Sequence, residues 1–330
     1  MDYKKIFVKG SCPTKIGGQA VMEGIMMKGE KKRATVIRLP DKRLYMKTQR
    51  VSEKKSAINM PFIRGVVVFV DALVDGMKTL MYSADILEAY DDMENSPYKK
   101  SKFDLWLEKK LGKKQAYNLM ITTSLIVAVI VTVAVFIIFP TWVLDLLALV
   151  TQNAVLLNVV EGLLRILLFV LYVVAISRMK EIHRVFQYHG AEHKTIHCFE
   201  QGLPLTPENC KNFYTLHPRC GTSFLVFVMV IALVLFSLLG WPNLFIRILS
   251  RLLLLPVIAG LSYELLKWTG RSDNFLVKIL SMPGLYLQKL TTKEPDYDQL
   301  EVAIAAMNGV LDDESPLFEG VLESTGEVLS

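Results

Sequence analysis

Histidine and cysteine are scarce in this chain, at five and four of 330 residues. Common nucleotide-binding signatures are missing. The one glycine-rich stretch, Gly17-Gly18-Gln19-Ala20-Val21-Met22-Glu23-Gly24, lacks the spacing and lysine of a phosphate loop and the spacing of a dinucleotide fingerprint. That leaves a tight turn presenting Glu23. No CxxC pair is present, so the usual zinc-ribbon pattern does not apply. The opening decapeptide MDYKKIFVKG has no apolar core or cleavage site and does not read as a secretory signal peptide. Basic and aromatic residues are not interleaved in any nucleic-acid module, so no nucleic-acid partner is expected. The net charge of +6, 38 basic against 32 acidic residues, is concentrated in the first hundred positions and fits an anionic membrane surface.

What the chain has in excess is apolar sequence. Hydrophobic side chains make up 52% and charged ones 21%, and the apolar residues come in runs. Residues 119–139 carry no charge, which matches the roughly 20 residues a helix needs to cross a bilayer. Further spans are expected from Gly162 to Ser177 (extended back past Arg165), Phe224 to Trp241, and about Leu244 to Lys267 with Arg247, Arg251 and Glu264 inside. Lysine and arginine flank the first span on its N-terminal side and follow the second and fourth. By the positive-inside rule both termini and the 178–223 loop then face the cytoplasm, with outside connections near 140–160 and 241–244. The expected fold class is mainly α: a polytopic membrane helix bundle of about four spans in the bacterial inner membrane.

A small β-rich unit is expected over residues 1–60, with strands at 34–39 and 44–48 around the turn Pro40-Asp41-Lys42 and a third at Ile6-Phe7-Val8. Within 61–118, the apolar segment 61–84 reads as an amphipathic helix on the membrane surface, with Asp71 and Asp75 on one stripe and a polar-striped span as the alternative, and a basic linker follows. The spans occupy 119–177 and 224–267. Pro283-Gly284 is expected to break the chain within a cytoplasmic segment at 268–310, where 299–310 has helical spacing, and 311–330 reads as an acidic disordered tail.

All five histidines lie between His183 and His217, and their core is His189-Gly-Ala-Glu192-His193-Lys-Thr-Ile-His197-Cys198. Histidines four apart share a helix face, so His189, His193 and His197 align. The first and last of them are about 12 Å apart along the axis, so one ion can take only two neighbours of the three. The string His189-x-x-Glu192-His193 has the form of an inverted zincin motif, with two histidine ligands and a glutamate that acts on water. That motif needs a distant further ligand, and Glu264 is a candidate by spacing and depth. A structural metal clip is a second reading, with soft donors at His197, Cys198, Cys210, His217 and Cys220. The third is a solvated helix whose histidines merely hydrogen-bond. Cysteines on a cytoplasmic face stay reduced, so metal or packing is favoured over disulfides.

The segments GGQAVMEGIMMKG (17–29), YHGAEHKTIHCFE (188–200), HPRCGTSFL (217–225) and TTKEPDYDQLEVAIAA (291–306) together resemble the YqhQ-like family of bacterial inner-membrane proteins. The resemblance implies a domain of unknown function sometimes described as a metal-dependent enzyme. It singles out Glu23, His189, Glu192, His193, His197, His217, Cys220 and Glu294. The functional expectation is a cytoplasmic, membrane-proximal divalent-metal site, zinc by preference. Its ligands are drawn from His189, His193, His197, His217, Cys220 and Glu264, and Glu192 is the catalytic base of a hydrolase. The alternatives are a non-enzymatic scaffold or regulator and a transporter using Arg165, Arg247, Arg251 and Glu264. The bilayer is the expected partner, and a homo-oligomer is compatible with the sequence.

Overall fold

The computed structural model describes residues 14–51, 63–93, 102–269, 274–311 and 319–322. The strand expected at 6–8 and Cys12 lie outside them. The chain divides into two units: one formed by Met1–Ala89, Tyr172–Ala232 and Leu244–Ser330, the other by Tyr90–Leu171 and Leu233–Asn243.

The first unit carries the candidate site. Its antiparallel sheet runs in chain order, β1 (Gly17–Val21), β2 (Gly24–Lys28), β3 (Lys32–Arg38), β4 (Leu44–Arg50) and β5 (Glu319–Leu322). The expected turn at Glu23 joins β1 to β2 as the two-residue connection Met22-Glu23, with Glu23 at a φ of 48°. The strands expected at 34–39 and 44–48 are β3 and β4. Within 311–330, read from its acidity as disordered, β5 instead extends the sheet. Charge decides this: the Glu319 carboxylate accepts from Lys47 Nζ (2.8 Å), Tyr45 Oη (2.9 Å) and Tyr82 Oη (3.1 Å).

Helix α1 (Ile63–Met93) is longer than the 61–84 segment that predicted it. Gly76 and Ser83 hold it to the sheet, accepting from Gln19 Nε2 (3.1 Å) and the Met22 N–H (3.2 Å), and Phe69 meets Phe224 with ring centroids 5.0 Å apart. Val70, Leu73, Val74 and Met77 stay exposed, so the apolar stripe of α1 is not used up by the protein.

In the second unit α2 (Lys102–Leu111) precedes α3 (Lys113–Val133). The helix continues past the expected end of the first span, through a π-helical turn at Ala134–Ile138 into α4 (Phe139–Leu147). Pro140 does not stop it, because the wider π turn absorbs the bond a proline cannot make. Helix α5 (Ala154–Ile176), whose residues from Tyr172 belong to the first unit, holds Arg165, whose guanidinium pairs with buried Glu161 at 2.6 Å, one turn earlier.

Back in the first unit, α6 (Lys180–Glu200) and α7 (Pro207–Lys211) come next. Helix α8 (Thr222–Ser237) straddles both units, and α9 (Leu244–Thr269), α10 (Phe275–Thr291) and α11 (Tyr297–Leu311) follow in the first. Three helical stretches among the described residues are long and apolar enough to cross a membrane: Gln115–Leu147, Ala154–Ile176 and Phe245–Thr269. The run expected as a span at 224–241 forms only the 16-residue α8. At 1.5 Å per residue that is about 24 Å, short of a roughly 30 Å hydrocarbon core.

Pro283-Gly284 was expected to break the chain but lies inside α10. Tertiary contacts override the local penalty there. Gln288 on the same helix is fully buried, accepts from the His217 N–H (2.9 Å) and donates to the His217 carbonyl (3.0 Å). Helix α11 begins at a reciprocal cap, in which Asp296 Oδ1 accepts from the Gln299 N–H and Gln299 Oε1 from the Asp296 N–H. Its Leu300, Ala303 and Met307 join Ile25, Val36, Tyr188 and Ile196 in the main core.

Candidate metal centre

Helix α6 is polar, yet from Gly190 to Cys198 every residue is buried. This replaces the solvated-helix reading: a polar helix removed from water must find a protein partner for each group or carry a large penalty. Lys194 donates to the Lys211 carbonyl (2.7 Å) and pairs with Glu294 at 2.9 Å. His197 Nε2 donates to the Leu216 carbonyl at 3.0 Å. Burial is possible because Gly190 lets the chain returning at Lys293 come close. A Cβ at position 190 would lie 2.0 Å from the Lys293 carbonyl oxygen.

The aligned histidines divide as helix geometry requires. His189 and His193 form one group with Cys220, whose donor atoms all lie within 4.8 Å of one another; His197 forms a second with Glu200 and His217. In the first group His189 Nδ1–H donates to the Thr291 carbonyl (2.8 Å) and His193 Nδ1–H to the Thr215 carbonyl. With those protons committed to backbone oxygens, each Nε2 carries the lone pair, the outer-sphere arrangement that orients metal-binding imidazoles. His189 Nε2 lies 3.2 Å from Cys220 Sγ. Tetrahedral zinc, with bonds of about 2.0–2.3 Å, needs donors roughly 3.5 Å apart, so this set fits such an ion.

The electrostatics agree with a ligand set. Burial pushes His193 down to about 4, so its ring is neutral. Burial would raise the Cys220 thiol, but the neighbouring His193 and the Thr222 hydroxyl and N–H outweigh it and leave it lowered. Burial drives the Glu192 carboxyl up to about 7, although nearby His189 and the Gly18 backbone pull the other way. Glu192 and all three donor residues line one cavity of about 500 Å³.

The second group is an ion-pair network. Glu200 is paired with Arg219 Nη2, accepts from the Thr14 N–H at 2.8 Å and lies 3.8 Å from His217 Nε2. Burial alone would raise this carboxyl, but His217, Thr14 and Arg219 hold it lowered. Burial also pushes His217 down to about 4. A cation at this group would have to displace a guanidinium already in place.

Several expected residues therefore change place. His217 and Cys220, grouped as donors of one clip, serve different groups. Glu264 lies on α9, belongs to neither group and does not line the cavity, since apolar depth along α9 does not bring it to the α6 face. Cys198 and Cys210 are buried in the main core, with Ile25 and Met307 in the same cluster, so they do not complete a clip around the histidines. Helix rotation explains Cys198: it lies about 100° around α6 from His197. Glu23 accepts from Arg184 and Tyr188 at the sheet turn, and Glu294 serves Lys194. Two partners were missed. Glu200 follows His197 by one helical turn and was findable from i,i+3 spacing; Arg219, one residue before Cys220, gave no such signal.

The fold and site define a mainly helical protein with a small antiparallel sheet, apolar helices of membrane-spanning length and a buried group of metal-capable side chains. The chain belongs to the family described as a protein of unknown function, DUF1385, which matches residues 60–313. It is 34% identical over 309 residues to the uncharacterized protein YqhQ of Bacillus subtilis (strain 168), covering 92% of this chain and 94% of that one. No solved structure matches it.

Proposed function

We propose that this protein is a membrane-embedded, metal-dependent hydrolase of the bacterial inner membrane, with His189, His193 and Cys220 as metal ligands and Glu192 as general base. One observation carries the reading: three preoriented donors meet on the wall of a cavity that also holds a buried carboxyl. Structural zinc sites close with four protein ligands, whereas catalytic ones use three and leave a position open. A zinc ion held there would supply Lewis-acid activation of water and of the substrate's acyl group.

The chain's own residues supply the rest. The Thr291 and Thr215 carbonyls fix the two imidazoles. Glu192, whose carboxyl sits near neutrality, accepts a proton from the attacking water and passes it to the leaving group. The water oxygen bonds to the acyl carbon as the bond to the leaving group breaks. Membrane embedding is supported by the three apolar stretches and by outward-facing Leu125, Ile126, Val127 and Ile130 on α3.

Metal analysis of the purified full-length protein tests the reading. One tightly bound ion per chain is expected, and a content near zero sinks it.

A further inference from the structure

One cavity wall is a sheet edge. Among the described residues β1 pairs with β2 alone, and the order β1 to β5 leaves its other side without a strand. The two-residue turn closes Val21 against Gly24, so the hydrogen-bonded pairs of this ladder fall at Val21, Gln19 and Gly17. The N–H and C=O groups of Gly18 and Ala20 therefore point away from β2. Both residues line the cavity. The strand lies close against the proposed base at Gly18. Only glycine permits this approach: a Cβ at position 18 would sit 3.0 Å from the Glu192 carboxyl carbon and 2.7 Å from the Met26 carbonyl oxygen.

An unpaired strand edge beside a reactive centre recognises extended main chain, through alternate N–H and C=O groups. The cavity falls within the roughly 300–1,000 Å³ of small-ligand sites, room for a few residues and not for a folded domain. The arginine of this wall, Arg219, is already committed to buried Glu200.

Resting on the metal reading above, we propose that the substrate is a polypeptide in extended conformation, held as an added strand on the outer edge of β1 at Gly18 and Ala20. The peptide lies alongside Glu192 and the His189/His193/Cys220 donors. Water then adds across the peptide bond: the C–N bond breaks, hydroxyl goes to the acyl carbon and a proton reaches the amine through Glu192.

The test uses the zinc-loaded, detergent-solubilised full chain carrying Glu192→Gln, which binds without turnover. Calorimetric affinities are compared for acetohydroxamate, an end-blocked pentapeptide hydroxamate of alternating Leu and Thr, and that peptide N-methylated at alternate amides. Two added main-chain hydrogen bonds of about 1 kcal/mol each make the peptide hydroxamate bind about thirtyfold tighter than acetohydroxamate. N-methylation is expected to erase that gain. Ala20→Pro, which removes an outward N–H and no ladder bond, is expected to erase it too while leaving acetohydroxamate binding unchanged. Equal affinity for acetohydroxamate and the peptide hydroxamate overturns the strand proposal and leaves the metal reading standing. Failure of the chain to retain zinc, or of acetohydroxamate to bind, overturns both.

Discussion

Cys220 Sγ lies 3.2 Å from His189 Nε2, although 31 positions separate the two residues in the chain. The sulfur arrives from the turn that precedes α8, and the nitrogen from the middle of α6. Their meeting turns a pair of histidines on one helix face into a three-donor set.

Removing a donor is expected to remove the ion. His193→Ala and Cys220→Ser each should lower metal content from about one ion per chain to near zero, measured by elemental analysis after dialysis. Retained stoichiometry in both variants means the ion, if any, is held elsewhere.

Glu192→Gln should separate metal binding from function. The variant is expected to keep its ion and to lose at least about 100-fold in activity, or complementation of a deletion strain, as befits loss of a general base. Full function in this variant argues for a structural centre.

The His197/Glu200/His217 group should behave as an ion-pair network. Arg219→Met strands a buried carboxylate and should destabilise the fold by roughly 3 kcal/mol, with metal content unchanged. Glu200→Gln added to it should recover much of the loss. A gain of a second ion in Arg219→Met would refute the assignment.

Gly190→Ala tests the close approach of Lys293 to α6. Alanine normally favours a helix over glycine by about 1 kcal/mol, but here its Cβ meets backbone at 2.0 Å. Destabilisation of about 1–3 kcal/mol is expected from overpacking, read by thermal unfolding in detergent. A melting point at or above wild type shows that the contact is not tight.

Features carried by one-dimensional patterns were legible. The uncharged run at 119–139, the alternation around Pro40-Asp41-Lys42 and the helical spacing at 299–310 each mark an element the structure contains. The i+4 histidine spacing sets His197 apart from His189 and His193, and the two donor groups divide in the same way. Where local rules and packing compete, packing prevails. Pro283 stays inside α10 because that helix buries Val277, Leu285 and Gln288, and Glu319 draws an acidic segment into the sheet through three donors.

The sequence by itself determined the long apolar helices, the strands near 34–39 and 44–48, and the alignment of His189 with His193, since chain length and side-chain period set these locally. Only the tertiary structure decided that Cys220 joins those histidines, that His217 goes to Glu200, and that Gly18 of β1 comes against Glu192. Each of these needs segments far apart in sequence to be folded against one another. No local pattern records such a meeting, because the contacts that hold it, such as Lys293 against Gly190 and Gln288 against His217, join residues 103 and 71 positions apart in the chain.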